Sequence, residues 1–353
     1  MKKILTFLLV LICQTLATKA QVTSLQESNE DSVINVVAYF CKGDTMKYTY
    51  TDAMYKVTPK DTITSSYYTR DCMIVVTDST SNGYNMEMTP LEVKLEDDST
   101  TQSTMTRMNA AILHAFNNVK IKFHTDEYGN IESIDNWREV RDLCLQGVKL
   151  AFDTIYQKAP MMDSVMPRKR LEGLIKLSLG NEVGVRKNIK ELPLLFGCHG
   201  KQFNLGTTAI TDSTSTVFPT KMRILATYAK DDEEDGLDDD YSISCSSVTA
   251  IPPKDAIELT GNVLYNLFSG EVSDKVDALV KDSLSQYIKD DSLKVELMED
   301  YYYFGNGWPA HMRQMKTSGF TIQKKVEYKS IEWYYRSWKG YAVKEDDADK
   351  KEL

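Results

Sequence analysis

Short apolar runs separated by polar turn clusters make up the first part of the chain, and this pattern is typical of β-strands. From Ser32 to about Glu96 it is rich in Val, Ile, Thr and Tyr, and turn clusters such as Lys42-Gly43-Asp44 separate the apolar runs. This pattern predicts four strands with the sequences VINVVAYF, MKYTYTDAMYKV, TITSSYYTRDCMIVV and YNMEMTPLEVKL.

Residues 119–134 have the pattern of a β-hairpin that leads into a helix. Apolar and polar residues alternate from Val119 to His124, and Gly129-Asn130 supplies residues that tolerate positive φ. Asn136 can cap the helix, since Glu139 three residues later completes a capping-box pattern. The helix then carries one apolar stripe, formed by Trp137, Val140, Cys144, Val148, Phe152 and Ile155.

The acidic residues of the same stretch raise an alternative, an ion-binding loop. A calcium loop needs oxygen ligands at alternating positions, and Tyr128 interrupts that alternation. Turn and cap chemistry accounts for Asp126, Glu127 and Asp135, so the hairpin is the favoured interpretation.

Helical spacing recurs at four other places. It predicts helices at 102–117, from Pro167 to Gly180-Asn181, at 255–268 and at 273–289. The stretch LPLLFGCHGKQFNLG is expected to be extended and turning chain. Further strands are expected at TTAITDSTSTVF, KMRILATYA, YSISCSSVTAI and in the two segments between Ser292 and Trp338.

These elements predict an α+β fold of antiparallel β-sheets with packed helices. Both halves run from strands to a helix and then to a hairpin with an aromatic-Gly-Asn turn, Tyr128-Gly129-Asn130 and Phe304-Gly305-Asn306, so two related halves are a further hypothesis. The expected divisions are a signal peptide at 1–20, a flexible lead-in at 21–31, a first strand-rich half at 32–160, a helical connection at 161–190, a second strand-rich half at 191–342 and a disordered acidic tail at 343–353.

The first twenty residues have the three parts of a secretory signal. A basic start at Lys2 and Lys3 precedes an apolar run, and small residues precede a cleavage site between Ala20 and Gln21. The apolar run is shorter than the roughly 20 residues of a membrane span, so no transmembrane span is expected. We therefore expect an exported protein of the bacterial envelope, in the periplasm or outside the cell.

Charge and cysteine content restrict the partners and the redox chemistry. The formal charge is −9, and removal of the signal, which holds three lysines and no acid, changes it to −12. Such a surface repels phosphate backbones, so nucleic acid is not an expected partner. Five cysteines remain after cleavage, an odd number that leaves at least one thiol free or paired between chains, and Cys144 on the helical stripe is the expected buried thiol.

Candidate catalytic and metal-binding motifs all have a plainer explanation. In DDEEDGLDDD at 231–240 the spacing of Asp231, Glu233 and Asp235 fits a calcium loop, but Ser242 stands where a bidentate Glu is required. A solvated acidic loop between two strands is favoured, and no metal or cofactor is expected. Cys198-His199 could suggest a thiol nucleophile, yet adjacent side chains point apart in extended chain. A carboxylate pair of the glycosidase kind has no spacing that a sequence would reveal.

Aromatic residues are concentrated near the C-terminus. In a strand, Tyr301 and Tyr303 share one face and Tyr302 the other, so both faces of this part of the sheet are aromatic. Either helices cover both faces, or one aromatic face is exposed and binds a ligand. The residues proposed for that ligand face are Tyr301, Tyr303, Trp308, Trp333 and Tyr335.

Three stretches together resemble uncharacterised exported proteins of Gram-negative bacteria, classed as domains of unknown function. They are the signal followed by tyrosine-rich strands, KIKFHTDEYGNIESIDNW and YYYFGNGWPAHM. In layout the chain also resembles periplasmic lipoprotein-carrier folds, which implies at most an apolar-ligand cleft. The expected function is non-enzymatic binding of an apolar or glycan-like ligand or of an envelope partner. The alternative is a secreted hydrolase with carboxylate catalysis, and the ligand, the disulfides and the oligomeric state are not readable from the sequence.

Overall fold

A computed structural model describes residues 32–95, 113–114, 117–158, 160, 163, 167–212, 218–229, 240–258 and 292–338. Thirteen strands occur in these ranges: β1 Val33–Asn35, β2 Thr45–Thr58, β3 Asp61–Thr80, β4 Gly83–Leu95, β5 Ile121–Thr125, β6 Ile131–Ile134, β7 Gln202–Asn204, β8 Gly206–Asp212, β9 Thr220–Tyr228, β10 Tyr241–Ile251, β11 Leu293–Tyr303, β12 Pro309–Phe320 and β13 Gln323–Ser337.

Eleven of the strands form one antiparallel sheet in the order β6-β5-β4-β3-β2-β13-β12-β11-β10-β9-β8. The chain runs outward from β2 to β6, crosses to the far edge, and returns inward from β8 to β13, which pairs with β2. Both strand-rich halves therefore belong to a single sheet. The predicted antiparallel, strand-rich architecture is confirmed.

Four helices have both ends in the described ranges: α1 Trp137–Lys158, α2 Arg168–Ser178, α3 Glu182–Asn188 and α4 Glu191–Phe196. Residues 253–258 are also helical, which agrees with a helix expected at 255–268. The extended conformation expected from Leu192 onward is wrong for α4. Four of its apolar side chains are buried, so tertiary packing stabilises a helix that local pattern does not indicate.

The sheet has a core face and an outer face, because paired residues on neighbouring strands point to the same side. The core face carries buried side chains in register across the strands, among them Tyr50, Arg70, Ile331 and Met312. Helix α4 packs on this face against β12 and β13. Burial alternates along β2 and β3 with the period of two that a strand with one buried face requires.

The hairpin interpretation of the 119–134 stretch is confirmed by β5 and β6. Asp126 Oδ1 accepts hydrogen bonds from the backbone N–H groups of Tyr128 and Asn130 at 3.0 and 2.8 Å, and Gly129 has φ of 94°. The cap expected at Asn136 differs in detail, since its Oδ1 accepts from the backbone N–H of Lys122 at 2.9 Å. The side chain ties the start of α1 to β5.

The two aromatic-Gly-Asn turns meet the same N-terminal segment. The backbone N–H of Ala38 donates to the carbonyl of Tyr128, and that of Tyr39 donates to the carbonyl of Asn306, both at 3.0 Å. Their conformations differ, because the positive φ falls on Gly129 in the first turn and on Gly307 in the second. The shared sequence therefore does not give equivalent backbones.

Several expectations fall outside the described residues: the signal and lead-in, almost all of the 102–117 helix, the 273–289 helix, residues 231–239 of the acidic run and the acidic tail. The strands expected on both sides of the acidic run are present as β9 and β10. None of the described helices is both long and apolar enough to cross a membrane.

Candidate functional site

The structure divides the five aromatic residues proposed as a ligand face into two groups. Tyr301, Tyr303 and Trp308 are buried. Trp308 packs on Phe40 with ring centroids 4.1 Å apart, and Tyr303 stacks on Tyr241 at 5.2 Å. The core therefore occupies the space around these three side chains, which corrects their placement on a ligand surface.

Trp333 and Tyr335 lie at the surface together with Tyr334, and their exposed fractions are 37%, 45% and 49%. The pairing of β13 with β2 shifts register between Trp333 and Tyr335, which is a β-bulge. A bulge leaves one residue unpaired and redirects the side chains around it. The strict alternation expected from the sequence is thereby lost, and three consecutive aromatic residues are all partly exposed.

Two cations lie against these rings. The Arg336 guanidinium is 5.0 Å from the Trp333 ring centroid and 4.7 Å from that of Trp338, and Lys47 Nζ is 4.9 Å from the Tyr335 centroid. Phe304 supports the group from the buried side, with its ring 5.5 Å from Trp333. We call Trp333, Tyr334, Tyr335, Arg336 and Lys47 the aromatic platform. It reaches both sides of the strand: Trp333 and Arg336 pair with the buried Tyr48 and Met46 of the core face, and Tyr335 pairs with Lys47 on the outer face.

On the outer face, polar side chains that can exchange hydrogen bonds border the Tyr335 and Lys47 part of the aromatic platform. His311 Nδ1 is 3.4 Å from Glu332 Oε1, and Asp71 accepts a hydrogen bond from the Thr49 hydroxyl at 2.8 Å. Burial and then the Asp71 carboxylate raise the pKa of Tyr334, which puts this ring close to β3. The platform thus combines apolar ring surface with donors and acceptors of both charges.

Tyr334, Arg336 and Lys47 are members of the site that sequence reasoning missed. The sequence WYYRSW does place Arg336 among aromatic residues, so a cation beside the rings was readable from it. The contribution of Lys47 depends on the register between β2 and β13. No local pattern gives that register.

A second polar cluster lies on the core face, around Asp52. Its Oδ2 accepts hydrogen bonds from Lys190 Nζ at 2.7 Å, from the Tyr50 hydroxyl at 3.0 Å and from the Tyr68 hydroxyl at 3.2 Å. Burial opposes ionisation of Asp52, but Lys190 and Lys329 outweigh it and lower the pKa of this carboxyl. Asp52 therefore stays ionised at neutral pH and is not placed to act as a general acid.

Glu191, which follows Lys190 in the sequence, forms a buried ion pair with Arg70 of β3. Lys190 and Glu191 stand at the start of α4, so two consecutive residues tie this helix to β2 and β3. Glu191 Oε2 and Arg70 Nε have no hydrogen-bond partner in the described part of the chain. This second cluster holds α4 on the core face.

Cys198 and His199 are both buried behind α4. His199 Nε2 donates to the Gly307 carbonyl at 2.9 Å in its neutral form, and burial lowers the pKa of His199 to about 4. His199 therefore connects the turn that follows α4 to the 304–308 turn, which is a structural role.

None of the five cysteines of the described ranges is in a disulfide bond, and Cys144 is buried on the core side of α1 as expected. Within those ranges, no three His, Cys, Asp or Glu side chains come together as a metal site requires.

Known proteins show only weak similarity to this chain. No family model and no curated protein matches the sequence. Among solved structures, the chain is similar to a mutant porin of Rh. blastica, with 9% identity, a TM-score of 0.17 and coverage of 82% of this chain and 100% of the porin. It is also similar to an outer membrane channel from Pseudomonas putida F1, with 6% identity, a TM-score of 0.14 and coverage of 88% and 100%. Similarity at these scores establishes no common fold.

Proposed function

We propose that the protein is an exported, non-enzymatic binding protein of the cell envelope and that its ligand is a glycan bound on the aromatic platform. The observation that carries this proposal is the exposure of three consecutive aromatic residues, Trp333, Tyr334 and Tyr335, on a bulged central strand.

Aromatic rings suit sugars because the C–H faces of a pyranose pack on them while the ring hydroxyls reach polar neighbours. On the outer face Lys47 supplies a donor, and Glu332 and Asp71 supply acceptors. The strands hold these groups rigidly, so little conformational entropy is lost on binding. The same surface would suit an apolar ligand less well, since charged groups border every ring.

The hydrolase alternative has less support. Acid–base hydrolysis of a glycosidic bond needs one carboxyl with a raised pKa beside an ionised one. Asp52 has a lowered pKa and bonds to Lys190, so the carboxyl cluster of the core face has the opposite electrostatics. Binding without catalysis is the simpler function for this arrangement.

The experiment is a glycan array that includes peptidoglycan fragments and lipopolysaccharide oligosaccharides, followed by calorimetry with the glycan that binds. Tyr334→Ala and Tyr335→Ala should each weaken binding about tenfold, the loss expected for an anchoring aromatic residue. Tyr228→Ala is the matched control, since Tyr228 is 49% exposed on β9 and lies outside the platform. It should bind like the unmodified protein.

Two results would overturn the proposal. One is the absence of any bound glycan, with a different molecule co-purifying from the native envelope. The other is an equal loss of affinity in the Tyr228→Ala control. Trp333→Ala is a weaker test, because the contacts of Trp333 with Phe304 and Arg336 also contribute to stability.

Export and the resemblance to uncharacterised envelope proteins belong to the same proposal. Mass spectrometry of the secreted protein should find Gln21 at its N-terminus, and a chain that retains Met1 would contradict export through this signal. The α+β classification and the relation between the two strand-rich halves also stay proposals. Superposition of the first strand-rich half on the second, strand for strand, would support a duplication.

A further inference from the structure

Helix α2 is an amphipathic helix that is packed only loosely on the rest of the protein. None of its eleven residues, all of them within the described ranges, is buried. Leu174 is 42% exposed and Leu177 is 79% exposed. A surface helix normally buries its apolar face against the core, so two exposed leucines on one helix need an explanation.

The helix has three distinct sides. Ile175 packs against the core. A second side, which carries Lys169 and Lys176, faces α1 across a cleft of about 670 Å³ whose far wall includes Leu145 and Val148. Leu174 and Leu177 are three residues apart and therefore lie together on the third, outward side.

The charge of α2 is opposite to that of the chain. Its sequence RKRLEGLIKLS contains four basic residues and one acid, a net charge of +3 in a protein of −9. Arg168 is paired with Asp153 and Glu172. Lys169 and Lys176 are exposed and have no ion-pair partner among the described residues.

We propose that α2 docks on the surface of an anionic lipid bilayer. Exposed leucines beside a cluster of basic side chains are the features of a helix that lies in the plane of a membrane interface. The leucines would enter the boundary between headgroups and acyl chains. Lys169 and Lys176, which lie on the neighbouring cleft side and are exposed, would extend to the lipid phosphates. A second copy of the chain is a poorer occupant, because it would bring two basic helices together.

The test measures binding of the full mature chain to synthetic vesicles, which contain no glycan and so separate this proposal from the glycan site. Vesicles of equal parts phosphatidylglycerol and phosphatidylethanolamine should bind the protein, and added salt should weaken the binding. Vesicles of phosphatidylcholine alone should bind it at least about tenfold less.

Three variants locate the contact. Leu177→Gln should lower the partition coefficient on anionic vesicles about tenfold, as expected for a leucine that leaves an apolar environment. A Lys169→Glu/Lys176→Glu double variant should reduce binding at least as much. Leu150→Gln is the control, since Leu150 is 59% exposed on α1 and does not line the cleft. Circular dichroism should show all variants folded, because the changed side chains are exposed.

Equal binding to both kinds of vesicle, or no binding to either, would overturn the proposal. It would also be overturned if Leu177→Gln and Leu150→Gln had the same effect. Concentration-dependent dimerisation that Leu177→Gln abolishes, measured by sedimentation without lipid, would assign the leucines to a second copy instead.

Discussion

The ion pair between Arg70 and Glu191 gives a prediction about stability that can be tested by substituting each partner. Arg70 is 6% exposed and Glu191 is fully buried, so both charges have lost their hydration on folding. Glu191→Gln keeps the side-chain volume and removes the negative charge. Arg70→Met removes the guanidinium and keeps an unbranched chain.

The expected magnitude follows from what each change leaves behind. Either single variant leaves one buried charge without its partner, which costs about 3–5 kcal/mol of folding free energy. The double variant Arg70→Met/Glu191→Gln leaves no unpaired charge and should lose less than the sum of the two single losses by at least about 2 kcal/mol. This coupling distinguishes an ion pair from two independent packing effects.

Urea denaturation at pH 7 measures these quantities through the midpoint and slope of the unfolding curve. Lys42→Ala is the control, because Lys42 and Asp78 form a 3.1 Å ion pair in which both side chains are solvent-exposed. Such a pair contributes about 0–1 kcal/mol. Losses below about 1 kcal/mol for both Arg70→Met and Glu191→Gln would refute the role of the buried pair in holding α4.

Two further predictions concern the turn at 304–308 and its neighbour His199. Gly307 has φ of +81°, and a Cβ there would lie 2.1 Å from the Val37 carbonyl oxygen, whereas Gly206 has φ of +82° and open space around it. Thermal unfolding should therefore show Gly307→Ala to be less stable than Gly206→Ala by about 2 kcal/mol or more, and equal melting temperatures would contradict this. Burial lowers the pKa of His199 from 6.5 to about 4, so between these pH values the unfolded chain binds a proton that the folded protein does not. The free energy of unfolding should fall by about 3 kcal/mol as the pH drops from 6.5 to 4, and His199→Gln should remove this loss. If the unfolding free energies of the variant and of the unmodified protein depend equally on pH, the prediction is wrong.

The sequence by itself determined most of the strands and the local turns. Strand-forming residue types and the turn clusters between them gave most of the strands of both halves, and the helical stripe of α1 gave the burial of Val140 and Cys144. The Asp126 turn was also readable, since its side chain accepts hydrogen bonds from residues two and four positions further along the chain. Such features depend on neighbours in sequence.

Only the tertiary structure decided the rest. Helix α4 forms because the core face of the sheet buries it, and no periodicity in six residues can indicate that. Tyr301, Tyr303 and Trp308 have the same residue types as the exposed aromatic platform, so composition could not separate core from surface. The bulge at Trp333 and Tyr335 and the pairing of β13 with β2 made that separation. Both depend on contacts between residues almost 300 positions apart, which a reading of local pattern does not reach.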